Sequence, residues 1–320
     1  MSKVIDLDQP RYDQSTYMGR AKHFLQLTNP LNVFTTEKQL DDAKKIVDEF
    51  RKTRKMPPGY DEEKLWNTKY LYDSAFHPDT GEKMIVIGRM AAQAPMNTII
   101  TGCMITFYKT TAATVFWQWM NQTFNAVVNY TNRSGDAPLP TSQLLASYCA
   151  ACGGALGTAL YLNNKVKKMN SPTFARLVPF AAVCGANFIN IPMMRSNELL
   201  NGTPVFTAEG QRVGDSKAAA TRGIALVCVS RVLMALPGMT LTPLLTAYAT
   251  RRGMFCRHPM AVIPFQLFLV GLCVTFATPL CCALFDQRAS IPIGSLEPEL
   301  LAEVTKKYPK TKEVYFNKGL

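Results

Sequence analysis

Charged residues recur at short intervals over the first ninety positions and then almost stop. Six uncharged or nearly uncharged runs follow, at 90–108, 110–132, 137–164, 177–194, 223–250 and 259–285, the fifth broken only by Arg231. A helix crossing the hydrocarbon core needs roughly 17–25 mostly apolar residues, and all six runs qualify on length. The second run differs in pattern. Gln118, Asn121, Gln122, Asn125 and Asn129 fall at i, i+3, i+4, i+7 and i+11, which is one stripe of an α-helix. A helix surrounded by lipid would not carry five amides on one face. The segment, which also holds Trp117 and Trp119, is therefore read as lying in the interface or lining a wet cavity. The expected fold is an all-α membrane protein with five spanning helices, an amphipathic segment after the first, and a helical N-terminal soluble region.

The polar part has its own periodicity. Leu40, Ala43, Val47 and Phe50 form an apolar stripe, Thr36 and Gln39 make a capping-box pair, and Pro57, Pro58 and Gly59 end the pattern, so a helix is expected over 37–55. A second helix is expected over 61–73. Next comes His77-Pro78-Asp79-Thr80-Gly81, where Pro and Gly around Asp-Thr signal a tight turn before the first span. An Asp-Thr-Gly triplet also serves aspartic proteases, but that chemistry needs two carboxylates sharing a site, and there is no second copy. Three regions result: 1–90 as an N-terminal helical region, 91–285 as the membrane domain, and 286–320 as a C-terminal tail.

Charge sharpens this division. Residues 1–90 carry 15 Lys+Arg against 14 Asp+Glu, whereas 91–285 carry 14 against 4. The +12 net charge is thus not gathered into a basic face or tail of the kind that binds nucleic acid. With five spans the termini lie on opposite sides, and the loops at 163–176 and 251–258 share a side with the N-terminus. These hold Lys165, Lys167, Lys168, Arg176, Arg251, Arg252 and Arg257, so the positive-inside rule puts the N-terminus on the cytoplasmic or matrix side. The first thirty residues contain Asp6, Asp8 and Asp13 and lack an apolar stretch, unlike a signal peptide or a cleaved presequence.

Little else in the sequence suggests catalysis. There is no P-loop, G-x-S-x-G or G-x-G-x-x-G. His23, His77 and His258 are scattered, and Cys149-x-x-Cys152 has no second pair at zinc spacing, so neither metal nor cofactor is expected. Gly153-x-x-x-Gly157 beside it suggests close helix packing. The informative residues are polar ones within the spans. Arg231 sits eight residues into the fifth run, where an ionisable side chain is costly unless paired or wet, though it can also snorkel to the interface. Prolines interrupt several runs, and amides stand beside Pro95 and Pro192. Secondary transporters bind substrates at such breaks, where half-helix ends meet a carboxylate and free carbonyls meet a cation. The alternative is that the prolines merely kink packed helices and the amides glue them together.

The chain resembles the sideroflexins, a family of mitochondrial inner-membrane proteins, over nearly its whole length. The resemblance rests on Arg11-Tyr12-Asp13-Gln14-Ser15-Thr16, with Tyr12 where relatives often have Trp, and on Tyr72-Asp73-Ser74-Ala75-Phe76-His77-Pro78-Asp79-Thr80-Gly81-Glu82-Lys83. It is strongest in Phe116-Trp117-Gln118-Trp119-Met120-Asn121-Gln122 and in residues 125–136. Asn190-Ile191-Pro192-Met193-Met194-Arg195 and Tyr315-Phe316-Asn317-Lys318-Gly319-Leu320 complete it. It implies five spans, an N-terminus in the matrix and a C-terminus in the intermembrane space. It also implies transport of serine, with alanine or cysteine as further substrates, supplying one-carbon metabolism, and links to iron and haem. The expected partners are a small amino acid and the lipid bilayer. Asn97, Asn121, Asn125, Asn190, Arg195 and Arg231 are the candidate cavity residues, with Arg231 or Arg195 pairing the carboxylate. The competing class is a membrane scaffold that supports other inner-membrane complexes.

Overall fold

The computed structural model describes residues 5–77, 80–107, 109–132, 141–169, 172–309 and 311–319. It is predominantly helical. The N-terminal region holds α1 (Tyr17–Leu27), α2 (Glu37–Thr53) and α3 (Glu62–Ala75). The Thr36–Gln39 capping box forms in both directions, and α2 ends at Arg54 in the left-handed conformation (φ 55°). Its apolar stripe is buried: Leu40, Val47 and Phe50 pack with Leu65, Trp66, Tyr72 and Phe76 into a small core. The turn after α3 is built around His77. Its amide donates to Glu82 O at 2.8 Å, its carbonyl accepts from Gly81 N at 2.9 Å, and its Nδ1 accepts from Thr80 N at 3.2 Å. Gly81 takes φ 65°, and Lys44 donates to its carbonyl. These contacts give the turn a structural role, clamping the chain onto α2. Pro78 and Asp79 lie outside the described residues.

Membrane-type elements follow: α4 (Gln93–Thr106), α5 (Thr111–Thr131), α6 (Thr141–Met169), α7 (Pro172–Met194) and a short α8 (Ser196–Asn201). Then come α9 (Lys217–Leu236), a π-helical turn at Pro237–Leu241, α10 (Thr242–Arg251) and α11 (Val262–Cys282). By length and composition, four helices among the described residues can cross a membrane: Ser142–Val166, Arg176–Met194, Lys217–Arg251 and Pro259–Cys282. The third joins α9, the π turn and α10. The first run falls short of the expected span. As α4 it is 14 residues, about 21 Å at the helical rise, against a core of roughly 30 Å.

The placement of α5 changes the topology. The helix returns antiparallel along α4, so that Thr131 crowds Gly88, and Asn132 Nδ2 donates to Gly88 O at 2.8 Å, beside the start of α4. Six elements therefore run up and down one bundle. At the near end, Gln143 donates to Met193 O and Met194 O; at the far end, Thr106 Oγ1 meets Gln266 Oε1 at 3.1 Å. The N-terminal region and the C-terminal tail both sit at the near end. Arg20 on α1 donates to Ala283 O at 2.8 Å and pairs with Asp286, and Tyr17 OH reaches Leu280 O. The sequence reading puts the basic loops on the side of the N-terminus; in this bundle the α6–α7 and α10–α11 turns are at the far end. Tags placed at the two termini should show the same protease accessibility in sealed vesicles; protection of one tag alone would contradict this arrangement.

A four-stranded antiparallel sheet, which the hydrophobic pattern does not anticipate, joins two distant segments. β1 (Thr203–Phe206) and β2 (Arg212–Ser216) precede α9; β3 (Arg288–Pro292), α12 (Pro298–Lys307) and β4 (Glu313–Asn317) follow α11. The order is β2-β1-β4-β3. Val205, Val213, Ile291, Val304, Val314 and Phe316 form its core with Ala219 of α9.

Candidate functional site

The amide stripe of α5 faces the protein. Gln118, Asn121 and Gln122 are 1%, 4% and 3% exposed, while Phe116 and Trp119 turn outward. Of the two readings of this segment, the interface and the wet cavity, the geometry selects the second. A cavity of about 70 Å³ opens where α4, α5, α7, α9 and α11 meet. A single water needs about 10–15 Å³ of such space, so the cavity has room for more than one water or for a small polar molecule.

Each wall follows from helical spacing. α4 contributes Gln93, Asn97, Thr101 and Met104, α5 contributes Asn121 and Asn125, and α7 contributes Val183 and Asn187. α9 contributes Arg231, Met234 and Ala235, and α11 contributes Val274 and Thr278. Gly238 and Met239 of the π turn complete the lining. Pro237 lacks a backbone donor, and the chain takes a wider, π-helical turn there beside the cavity.

Arg231 is half-buried, and among the described residues no carboxylate pairs with it. An intramembrane guanidinium in that position needs an anion or water. The amides show the same incompleteness. Asn97 Nδ2 donates to Gln93 Oε1 at 3.1 Å, but Asn121 Nδ2 and Gln118 Oε1 are buried without a partner. Buried polar atoms are nearly always satisfied, so Asn121, which lines the cavity, points to an occupant there, while Gln118 lies outside the lining.

Four of the six candidate residues, Asn97, Asn121, Asn125 and Arg231, come together here. Two do not. Asn190 faces Gln122, Tyr148 and Met194 in a crevice without room for a water. Arg195 is engaged elsewhere: it holds Glu198 at 2.5 and 2.8 Å and donates to Lys318 O at 2.7 Å, fastening the C-terminal strand-end to the bundle. Gln93, Thr101, Asn187 and Thr278 also line the cavity. The spacing of Gln93, Asn97 and Thr101 by four residues is a helical stripe that could have matched α4 to α5 in the sequence.

The tail approaches the same site. Lys318 is 2% exposed, and its ammonium donates to Phe285 O at 3.4 Å. Burial, with the Arg20 and Arg231 charges nearby, pushes it below the usual lysine range. The cysteines add no constellation. All nine are free, and among the described residues no cluster of metal-ligating side chains occurs. Gly153 and Gly157 meet nothing within 4 Å, and it is Gly154 that makes the close approach, to Ile189.

Comparison with known proteins gives a consistent picture. The sequence model of the family described as Sideroflexins matches residues 6–320. Sideroflexin-1 of Homo sapiens is 54% identical over 316 residues, covering 99% of this chain and 98% of the relative. Sideroflexin-1-3 of Drosophila melanogaster is also 54% identical, and Sideroflexin-3 of Bos taurus is 51% identical, each over the same shares. No solved structure matches the chain.

Proposed function

The chain belongs to the sideroflexin family, and we propose on that premise that it carries a small neutral amino acid, serine foremost, across the mitochondrial inner membrane to supply one-carbon metabolism. The observation that carries the proposal is the convergence of polar side chains from five helices on one cavity beside the π turn, among them Arg231 without a carboxylate partner among the described residues and Asn121 with an open amide donor. A zwitterion complements that wall. Arg231 takes the carboxylate as a charge-assisted pair, and the side-chain oxygens of Asn97, Asn121 and Asn125 accept from the ammonium. The Asn121 Nδ2 donor, left open in the protein, is free for the serine hydroxyl. The π turn supplies a place where α9 and α10 can move relative to one another, as alternating access requires.

A scaffold would have no need to gather its amides inward. Outward, scattered amides would have favoured that class. The protein has no assigned part for a cofactor in this reading, and substrate movement follows gradients.

The three turns at the far end, within 107–112, 163–178 and 249–262, hold eight Lys and Arg and no Asp or Glu. The near end holds as many close to its helix ends (Lys83, Arg89, Arg133, Arg195, Arg212, Lys217, Arg222 and Arg288), so charge does not choose the side of the N-terminal region, which the sequence reading puts in the matrix. Purified protein in liposomes is expected to take up labelled serine well above protein-free vesicles; uptake at the empty-vesicle level would remove the transport reading.

A further inference from the structure

The far end of the bundle has a property that no single segment displays. Folding brings Lys109 of the α4–α5 turn, Lys165 and Arg176 beside the α6–α7 turn, and Arg251, Arg252 and Arg257 of the α10–α11 turn to one end. The four acidic residues of 91–285 are Asp136, Glu198, Glu209 and Asp215, all in other segments. The α10–α11 turn is the densest part. Its three arginines are exposed, and among the described residues none enters an ion pair. Arg252 lies over the Tyr248 ring at 5.3 Å, which holds its guanidinium at the rim. Gly253, at φ 78°, turns the chain so that Met254 projects, 64% exposed, and Met260 follows at 78%.

We propose that this turn is a binding surface for the headgroups of anionic phospholipids. Cations without internal partners seek anions, and Met254 beside them, followed by Met260 at the start of the next span, presents apolar surface that acyl chains cover better than water does. A free phosphate would use the arginines and leave the apolar flank uncovered, so the combination selects a lipid. Basic residues close to an anionic leaflet each contribute roughly 1 kcal/mol, about fivefold in affinity.

The test is lipid retention. Protein is reconstituted with equal phosphatidylglycerol and phosphatidylcholine, re-extracted in neutral detergent, and its bound lipid measured. Wild type should retain phosphatidylglycerol at least about tenfold over phosphatidylcholine, less so as salt rises. The R251Q/R252Q/R257Q variant should lose that preference, and R251K/R252K/R257K, which keeps the charge, should hold it and also control for folding. Equal retention of both lipids by wild type, or an unchanged preference in the glutamine variant, would overturn the proposal. So would displacement of the lipid by millimolar inorganic phosphate, which would make the surface a free-anion site.

Discussion

Arg231→Ala is expected to reduce uptake of labelled serine by about a hundredfold or more while leaving the fold intact. Truncating one partner of a desolvated charge pair costs about 2–5 kcal/mol, and here the lost partner would be the substrate carboxylate. The unusual part is the second half of the prediction. No carboxylate of the protein pairs with Arg231 among the described residues, so its removal strands no opposite charge. An unpaired intramembrane cation is itself costly, and an apolar replacement should be neutral or mildly stabilising. Arg231→Lys should fall between, because lysine keeps the charge and loses the planar fork. Thermal melting of the variants alongside uptake separates the two effects. Normal uptake by Arg231→Ala at normal expression would remove Arg231 from the site.

Phe316→Ala is expected to cost about 3–5 kcal/mol, the usual range for a buried phenylalanine. Phe316 is 1% exposed in the sheet core. Its ring stands 3.1 Å from where a Cβ on Gly223 of α9 would lie, so the ring fills the space that glycine leaves. Its neighbours carry the rest of the docking: Lys318 O accepts from Arg195, and Lys318 N donates to Gln287 O at 2.8 Å. Loss of the ring should lower the melting temperature and expose the tail to protease together. A tail released with no change in melting would show that it does not brace the bundle.

How much of this was legible depends on the range of the interactions involved. Local signals served well. The Thr36–Gln39 box, the Leu40–Ala43–Val47–Phe50 stripe and the apolar runs each act within a few residues, and the structure contains them. The α5 stripe was equally visible, but its meaning was not. Five amides on one face fit an interface or a cavity, and only a facing polar wall decides between them. That wall is assembled from Asn97, Asn187 and Arg231, far apart in sequence. The same ambiguity carried into topology, because counting α5 out of the bundle moves every later loop to the opposite end.

The sheet was hidden for a different reason. Its strands are four or five residues long, and β1 pairs with β4 across more than a hundred positions at Phe206 and Tyr315. Short alternations such as Val314 and Phe316 carry too few residues to establish a period. Arg195 shows the limit for sites. It stood beside a proline break in an amide-rich motif, yet its guanidinium serves Glu198 and a backbone carbonyl of the tail. Residue type and neighbourhood identified a polar group in the membrane part without saying which way it points.

The most direct test of the cavity as an amino-acid site is competition against labelled serine uptake in liposomes by serine and by serine methyl ester. Assayed at mildly acidic pH, where its amine stays protonated, the ester keeps the ammonium and hydroxyl and lacks the anionic carboxylate that Arg231 would pair. Serine should suppress uptake, and the ester at equal concentration should leave it nearly unchanged. Equal suppression by both would contradict the assignment of Arg231 to the carboxylate, and with it this account of the cavity.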